Sequence, residues 1–453
     1  MKKRWSLLSV LMLVGFLLLA ACSGGSDGDE ENASGDDAAN DDNGGESSSE
    51  EEINLKFVHW INEENGKWES VIEKYEAENP GVTIESMPLV ENMNSQDYFQ
   101  QLDLMASAGE DLDIVMFSNP NDLAKRIDAG LVEPLNSFLD EEGIDINEEY
   151  LNGYPAFDGE YYGLPMKQVT WLVMMNKNHL EEAGLEIPTE WTWDEYREYA
   201  QQLTTDDHYG SYFHTWHEAF SAIKLFGKPE GDNNLLKEDG TSNMDDPLIK
   251  ESLELRYNLE NVDETSVPLS ENLSQQMDYR QQFFTQSISM IPIGSYMLSE
   301  WGQFTPDFEI AWAPFPQNES GDNMYTQVGG DLISVAKSSE HKQASYDFIR
   351  WLSTEGIMDQ GVWVPSWKNA DLNTAVENVA SNTPNPEAID IESFVHSIST
   401  IEAQKTYAPA PYITEVHTEY AAEVEKYLLG DQDLDTTMDN LKERVQNVVD
   451  SNQ

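Results

Sequence analysis

Cysteine is nearly missing from this 453-residue chain, which has Cys22 and no other. One thiol allows neither an internal disulfide nor a metal site built on several Cys ligands. Cations are scarce too, with 25 Lys and Arg against 85 Asp and Glu and a formal charge of −60. Nucleic acids and anionic lipid headgroups gain affinity from basic side chains that displace their counterions, so both classes of partner are excluded for this surface. The glycine patterns of phosphate cradles and dinucleotide folds, GxxxxGK[ST] and GxGxxG, are absent. No period of about 20 to 50 residues repeats, which excludes a solenoid. What remains is still ample for a large core, at 39% hydrophobic and 10% aromatic residues, and the length suits two domains.

The first 22 residues set a compartment. Lys2, Lys3 and Arg4 precede an apolar run from Leu7 to Leu19 that ends in Ala20, Ala21 and Cys22. This run falls short of the roughly 20 residues of a spanning helix and reads as a secretory signal. Leu19-Ala20-Ala21-Cys22 resembles the lipobox of bacterial lipoproteins, in which the Cys sulfur carries diacylglycerol after cleavage. Residues 23–52 hold twelve acids but no aromatic or branched apolar residue, so they form an acidic, disordered tether with a root-mean-square reach of roughly 30 Å. Without the signal the chain has 22 basic and 85 acidic residues, a charge of −63; from residue 53 onward it has 22 and 73, a charge of −51. Such a surface keeps a protein soluble in salty or alkaline surroundings.

From Ile53 strands and helices alternate. Ile53, Leu55 and Phe57 alternate with Asn54 and Lys56, and Trp68, Val71, Ile72 and Tyr75 follow at helical spacing up to Asn79-Pro80-Gly81. A second strand is expected over 82–87, a helix over 98–106 and a doubly covered strand over 112–117, followed by a short helix capped by Asn121 and closed by Gly130. Right-handed crossovers turn this order into a parallel sheet with helices on both faces, whose ligand crevice lies beyond the carboxyl ends of the strands. The pattern shifts after residue 165. Strands are expected over 169–175, 289–293, 308–313 and from Leu332, and Thr192 with Glu195 forms a capping box for a helix to about Leu203. A hairpin or loop spans 227–246, Pro247 starts a helix, a further helix carries Ala344, Phe348, Ile349 and Leu352, and long amphipathic helices lie between Tyr412 and Val449.

Chemistry-bearing patterns are few. Among so many acids no pair of carboxylates stands out for glycoside hydrolysis, and no nucleophile is nominated. Asp431, Asp433, Asp435 and Asp439 imitate a calcium loop, but Thr436 and Lys442 occupy its Gly and Glu positions. His214, His217 and Glu218 have metal-binding types but read rather as a polar or ligand-contacting loop. No metal and no cofactor are expected. Tryptophan is conspicuous, with eleven after the signal. Trp68, Trp351, Trp191 and Trp193 have simple helix-packing readings, whereas Trp60, Trp171, Trp216, Trp301, Trp312, Trp363 and Trp367 lie at strand ends, loops or turns. A flat indole matches the C–H face of a pyranose, and nearby amides and charges take its hydroxyls.

Several short segments resemble, in order, the family-1 extracellular solute-binding proteins of ABC transporters, relatives of maltose-binding protein. They are Phe57-Val58-His59-Trp60, Glu78-Asn79-Pro80-Gly81, Ala108-Gly109-Glu110-Asp111-Leu112-Asp113-Ile114-Val115, Ala129-Gly130-Leu131-Val132-Glu133-Pro134-Leu135 and Tyr162-Gly163-Leu164-Pro165. Met175-Asn176-Lys177, Ala183-Gly184-Leu185, Trp191-Thr192-Trp193-Asp194-Glu195 and Met290-Ile291-Pro292-Ile293-Gly294-Ser295-Tyr296 continue the order. Asp111-Leu112-Asp113 departs from the usual Pro-Asp pair, and Tyr296 stands where many relatives carry Trp. The resemblance implies an α/β fold of two lobes with a hinge between them, the first of residues 53–168 and 331–366, the second of 169–330 and 367–453. It implies a monomeric, non-enzymatic binding protein, held on the outer face of the cell membrane, or in a periplasm, by lipid alone, that closes on a carbohydrate and delivers it to permease subunits. Candidate ligand contacts are His59, Trp60, Phe117, Asn119, Gln168, Trp171, Trp216, His217, Tyr296, Gly330, Asp331, Trp363 and Trp367. Within the binding class a peptide or polyamine is an alternative ligand; outside it, the alternative is a surface polysaccharide hydrolase.

Cys22→Ser is expected to release the protein from the membrane fraction or block its processing, because no second apolar segment can replace the anchor. Normal processing with full membrane retention, read by fractionation and intact mass, would rule out the lipid anchor.

Overall fold

The structure, a computed structural model, describes residues 52–151, 155–229 and 234–452. The signal, Cys22 and the tether up to residue 51 lie outside the described residues. Twelve strands run through the described chain: β1 (Ile53–His59), β2 (Val82–Pro88), β3 (Ile114–Phe117), β4 (Leu164–Pro165), β5 (Val169–Asn176), β6 (Tyr209–Ser211), β7 (Ile288–Gly294), β8 (Ile310–Ala313), β9 (Tyr325–Thr326), β10 (Val328–Gly329), β11 (Leu332–Val335) and β12 (Glu402–Ala403). A first sheet has the order β2-β1-β3-β11-β4, parallel between β1, β2 and β3 and antiparallel at β11. A second has the order β10-β5-β7-β6 with β8 also paired to β5, and there β5 runs antiparallel to β7, β8 and β10. Strands β9 and β12 form a small separate pair.

The alternation that marks β1 as a strand leaves Lys56 half-buried and Leu55 and Phe57 in the core, while all four residues of β3 are buried, as a central strand covered on both faces requires. Helix Ser95–Ala108 starts on Asn94, whose side chain accepts from two backbone N–H groups, three residues before the expected start. The short helix after β3 runs Pro120–Asp128 and is capped by Asn119, not by Asn121 as expected from sequence. Pro120, which has no N–H to satisfy, takes the first helical position and leaves the extended Asn119 to accept from Asn121 N and Asp122 N. Thr192 and Glu195 form the expected capping box, and Pro247 opens helix Pro247–Tyr257 behind an Asp246 cap. Leu236 pairs with Ser242 in an antiparallel bridge within the expected hairpin region.

Each sheet has its own core. Leu55 to Met166, resumed at Leu332 to Trp363, encloses the first sheet; Leu172 to Phe315, resumed at Val364 to Ile398, encloses the second. Helices Ile413–Leu428 and Leu434–Asn452 pack with Ile249, Leu253 and Leu225 into a third apolar cluster. The chain passes between the two cores three times, near residues 166–169, 329–332 and 363–366. Backbone hydrogen bonds tie these crossings together, Met166 N to Asp331 O at 2.9 Å, Gln168 N to Val364 O at 2.7 Å and Ser366 N to Met166 O at 2.9 Å. Gly330 has φ +145°, and a Cβ there would lie 1.8 Å from Lys167 O, so only glycine allows the second crossing to approach the first so closely.

Deep in the second core Arg256 and Glu260, one turn apart, pair at 2.6 Å; Glu260 also accepts from Leu269 N, and Arg256 donates to Ser221. Burial pushes the Glu260 carboxyl up, and Arg256 opposes that shift. Arg256→Met is expected to lower unfolding free energy by about 3 to 5 kcal/mol by leaving a buried charge alone, whereas adding Glu260→Leu recovers part of the loss. Denaturant melts of the two variants check this, and a double variant less stable than the single would refute it.

Candidate functional site

A continuous row of side chains runs from the second lobe to the crossings. Trp171 on β5 meets Phe220 edge to face at 5.0 Å, and Phe220 leads to Trp216 at 6.4 Å. Trp216 lies tilted against His214 at 3.9 Å and approaches Tyr279 at 6.4 Å. Tyr296, just beyond the end of β7, lies beside Tyr279, and its buried hydroxyl has no well-formed hydrogen bond. Arg280 covers the Tyr279 ring at 4.6 Å, donates to the Glu300 carbonyl at 2.8 Å and brings a second nitrogen to 3.7 Å from the Glu300 carboxylate. Glu300 reaches the Lys167 ammonium at 2.8 Å; Lys167 is 3.1 Å from Asp331 Oδ2 and 5.3 Å from the centroid of Trp363.

Burial sets the electrostatics of this row. It lowers His214 and His217 to about 3, so both rings are neutral near pH 7, and the Arg256 charge adds to the effect. Tyr279 is pushed up to about 12 and Tyr296 well above its ordinary value, each first by burial. Burial also works against Lys167, yet Asp331 and Glu300 hold it above the ordinary lysine value. Asp331 is raised to about 7, chiefly by burial and further by Glu300, against the pull of Lys167. Two carboxylates thus face one ammonium in a largely buried site.

The thirteen residues nominated from sequence fall in three places. Trp171, Trp216, His217, Tyr296, Gly330, Asp331 and Trp363 belong to the row or border it. His59, Trp60, Phe117 and Asn119 gather at the carboxyl ends of β1 and β3, but most of their surface is already used. His59 is fully buried between Phe57 and Trp68, with Nε2 2.9 Å from Ser86 Oγ and its basicity lowered to about 3 by burial. Trp60 packs on Tyr98 and Phe99, Phe117 is fully buried, and the Asn119 side chain caps a helix. Gln168 and Trp367 instead line a cavity of about 430 Å3 with Thr170, Val328, Ile398 and Ile401. Successive strand residues point to opposite faces, and Thr170 pairs with Val328, so this cavity lies on the face of β5 away from Trp171. Trp367 is held there by its indole N–H donating to Glu149 at 2.8 Å.

Lys167, Arg280, Glu300 and Tyr279 were not nominated. A lysine at a lobe crossing in a chain with so few cations was a usable signal; nothing local in sequence ties Arg280 or Glu300 to it. Trp301 and Trp312, which share the strand-end and turn positions of the nominated tryptophans, are core residues.

Exposure sorts the remaining tryptophans. Trp216 is 43% exposed, whereas Trp60 and Trp363 are buried. Trp363→Ala and Trp60→Ala are each expected to cost about 3 to 5 kcal/mol of folding stability, and Trp216→Ala less than about 1 kcal/mol. Melting temperatures of the ligand-free variants check the ranking; a Trp216→Ala loss equal to the others would place that ring in the core.

The family model for bacterial extracellular solute-binding proteins matches residues 61–359. A putative binding protein of Brucella abortus is 21% identical over 303 residues, 66% of this chain and 72% of that protein. An arabinooligosaccharide-binding protein of Halalkalibacterium halodurans is 23% identical over 51% of this chain and 52% of its own length, and a multiple sugar-binding protein of Streptococcus mutans is 22% identical over 48% and 52%. Among solved structures, a sugar transporter from Rhizobium etli in an open conformation superposes with TM-score 0.68 at 23% identity, covering 87% of this chain and 99% of that one. The sugar-binding protein MalE from Xanthomonas citri gives TM-score 0.69 at 18% identity, covering 88% and 98%. The two-lobed α/β architecture is therefore the periplasmic-binding-protein-like fold, and this chain belongs to the bacterial extracellular solute-binding proteins.

Proposed function

We propose that this protein is the lipid-anchored substrate-binding component of an ABC importer, which closes its two lobes on a mono- or oligosaccharide and hands it to membrane permease subunits. The lobes are residues 53–168 with 331–366 and residues 169–330 with 367–453, they act as a monomer, and Cys22 carries the anchor. The observation that carries the reading is the exposed Trp216 in an aromatic row that ends at a charge cluster where the lobes meet. An exposed indole offers an apolar face to a pyranose, and polar groups farther along the row offer hydrogen bonds to hydroxyls. The arabinooligosaccharide- and multiple-sugar-binding relatives support the same ligand class. Among the described residues no helix is long and apolar enough to cross a membrane.

Ligand shifts a hinge equilibrium here because only the closed state touches it from both lobes. The reading involves no bond cleavage. Purified protein screened by thermal shift against arabino- and malto-oligosaccharides is expected to gain about 2.7 kcal/mol at 100 times the dissociation constant of its ligand. Trp216→Ala is expected to weaken that binding at least several-fold while leaving the ligand-free melting temperature nearly unchanged. Steady release of shortened sugars, lost on mutation of one carboxylate, would favour the hydrolase alternative; stabilisation by a peptide or polyamine and by no sugar would move the ligand to that class.

A further inference from the structure

Lys167, Asp331 and Glu300 come from three different parts of the chain and meet at one buried point. Lys167 stands in the first crossing and Asp331 in the second, and their side chains are 7% and 5% exposed; Glu300 reaches them from the second lobe and is 15% exposed. One residue earlier, Ser299 Oγ donates to Val362 O at 2.9 Å, next to the third crossing, so the same stretch of the second lobe grips the crossings twice. The groups facing the cluster are Arg280 and the Tyr279 and Tyr296 phenols on the second-lobe side, and the neutral Trp363 ring beside the third crossing. Lys167 and Arg280 balance Glu300 and Asp331 in formal charge, but the two carboxylates approach the single Lys167 ammonium from different bodies.

We propose that this cluster is a proton-linked latch, in which bringing Glu300 of the second lobe against Lys167 and Asp331 of the crossings closes the lobes and takes up one proton onto the Asp331 carboxylate. The inference rests on the lobe-closure reading above, but it concerns the ligand-free protein. When the lobes part, Glu300 withdraws, water reaches Asp331, and its carboxyl returns toward the ordinary carboxylate range near 4, releasing the proton. In the arrangement seen here, with Glu300 against Lys167 and Asp331, burial and Glu300 hold the same carboxyl up to about 7. A group whose proton affinity is higher in the closed state favours closure fully below the open-state value, and the advantage is lost as pH rises through the closed-state value. Closure therefore weakens by up to tenfold per pH unit across a window that ends near pH 7, and it is flat above about pH 8.

The test uses no sugar, so its failure and a failure of the sugar reading are distinguishable. Leu104, on the helix Ser95–Ala108 of the first lobe, and Val262, on the second, are both exposed and accept spin labels through Leu104→Cys and Val262→Cys in a chain that also carries Cys22→Ser. Interlobe distance distributions from double electron–electron resonance between pH 5 and pH 9 are expected to show a short-distance population that shrinks up to about pH 7 and then levels off. Asp331→Asn, which keeps the position neutral, should make that population independent of pH. Glu300→Gln leaves Lys167 facing a single carboxylate and should move the transition to lower pH; it keeps the test decisive where Asp331→Asn fails to fold. Distances in the folded parent that do not change with pH, an Asp331→Asn variant that retains the transition, or a Glu300→Gln variant with the transition unmoved would each overturn the latch.

Discussion

The close approach of the three crossings is the constraint on which the other features depend. Met166, Gln168, Asp331, Val364 and Ser366 exchange backbone hydrogen bonds as if they formed a narrow strip of sheet, and Gly330 permits it because any side chain there would strike Lys167 O. Two separate apolar cores hang from this strip. Because the cores meet at it, polar side chains attached to the strip are shielded from water although they lie between bodies rather than inside one. That placement gives Lys167 and Asp331 their unusual electrostatics, because the groups that bury and face them come from more than one body.

Tryptophan occupies two settings in this molecule, and packing separates them. Trp68 donates to Ile61 O at 2.9 Å and crosses Phe57 nearly at right angles, and Trp191 donates to Pro314 O at 2.7 Å. These rings have spent both face and N–H on their own lobe. Trp216 has not. Its ring has His214 on one side and solvent on much of the rest, so a ligand can cover it without dismantling a core. Removing apolar surface from water is worth the same per unit area in either setting; whether folding or binding collects it depends on what already covers the ring.

Much of the local structure was legible in the sequence because it depends on neighbours a few residues apart. The alternation of Ile53, Leu55 and Phe57, the Thr192–Glu195 box and the Pro247 start are such short-range signals, and each corresponds to an observed element. Asn121 shows the resolution limit. Two asparagines flank Pro120, both are good caps, and the choice of Asn119 follows from where the backbone leaves β3.

The site was less legible. Ordered segments from Phe57 to Tyr296 pointed to the family and the two-lobed fold, and scarce cations excluded polyanionic partners, because composition and segment order are properties of the chain itself. Which aromatic rings stay open to solvent could not be read that way: Trp60 and Trp216 look alike as loop or strand-end residues, and only the packing of Tyr98 and Phe99 over the first separates them. Nor could the charge cluster, since Lys167, Glu300 and Asp331 are more than a hundred residues apart at their extremes and are neighbours only through the crossings. The sequence by itself determined the fold class, the acidic surface and the seven longer strands, but not the short pairings of two or three residues. Tertiary structure alone decided which side chains share a dry site, because burial and proximity are set by contacts between distant segments, and those are what shift a carboxyl or leave an indole uncovered.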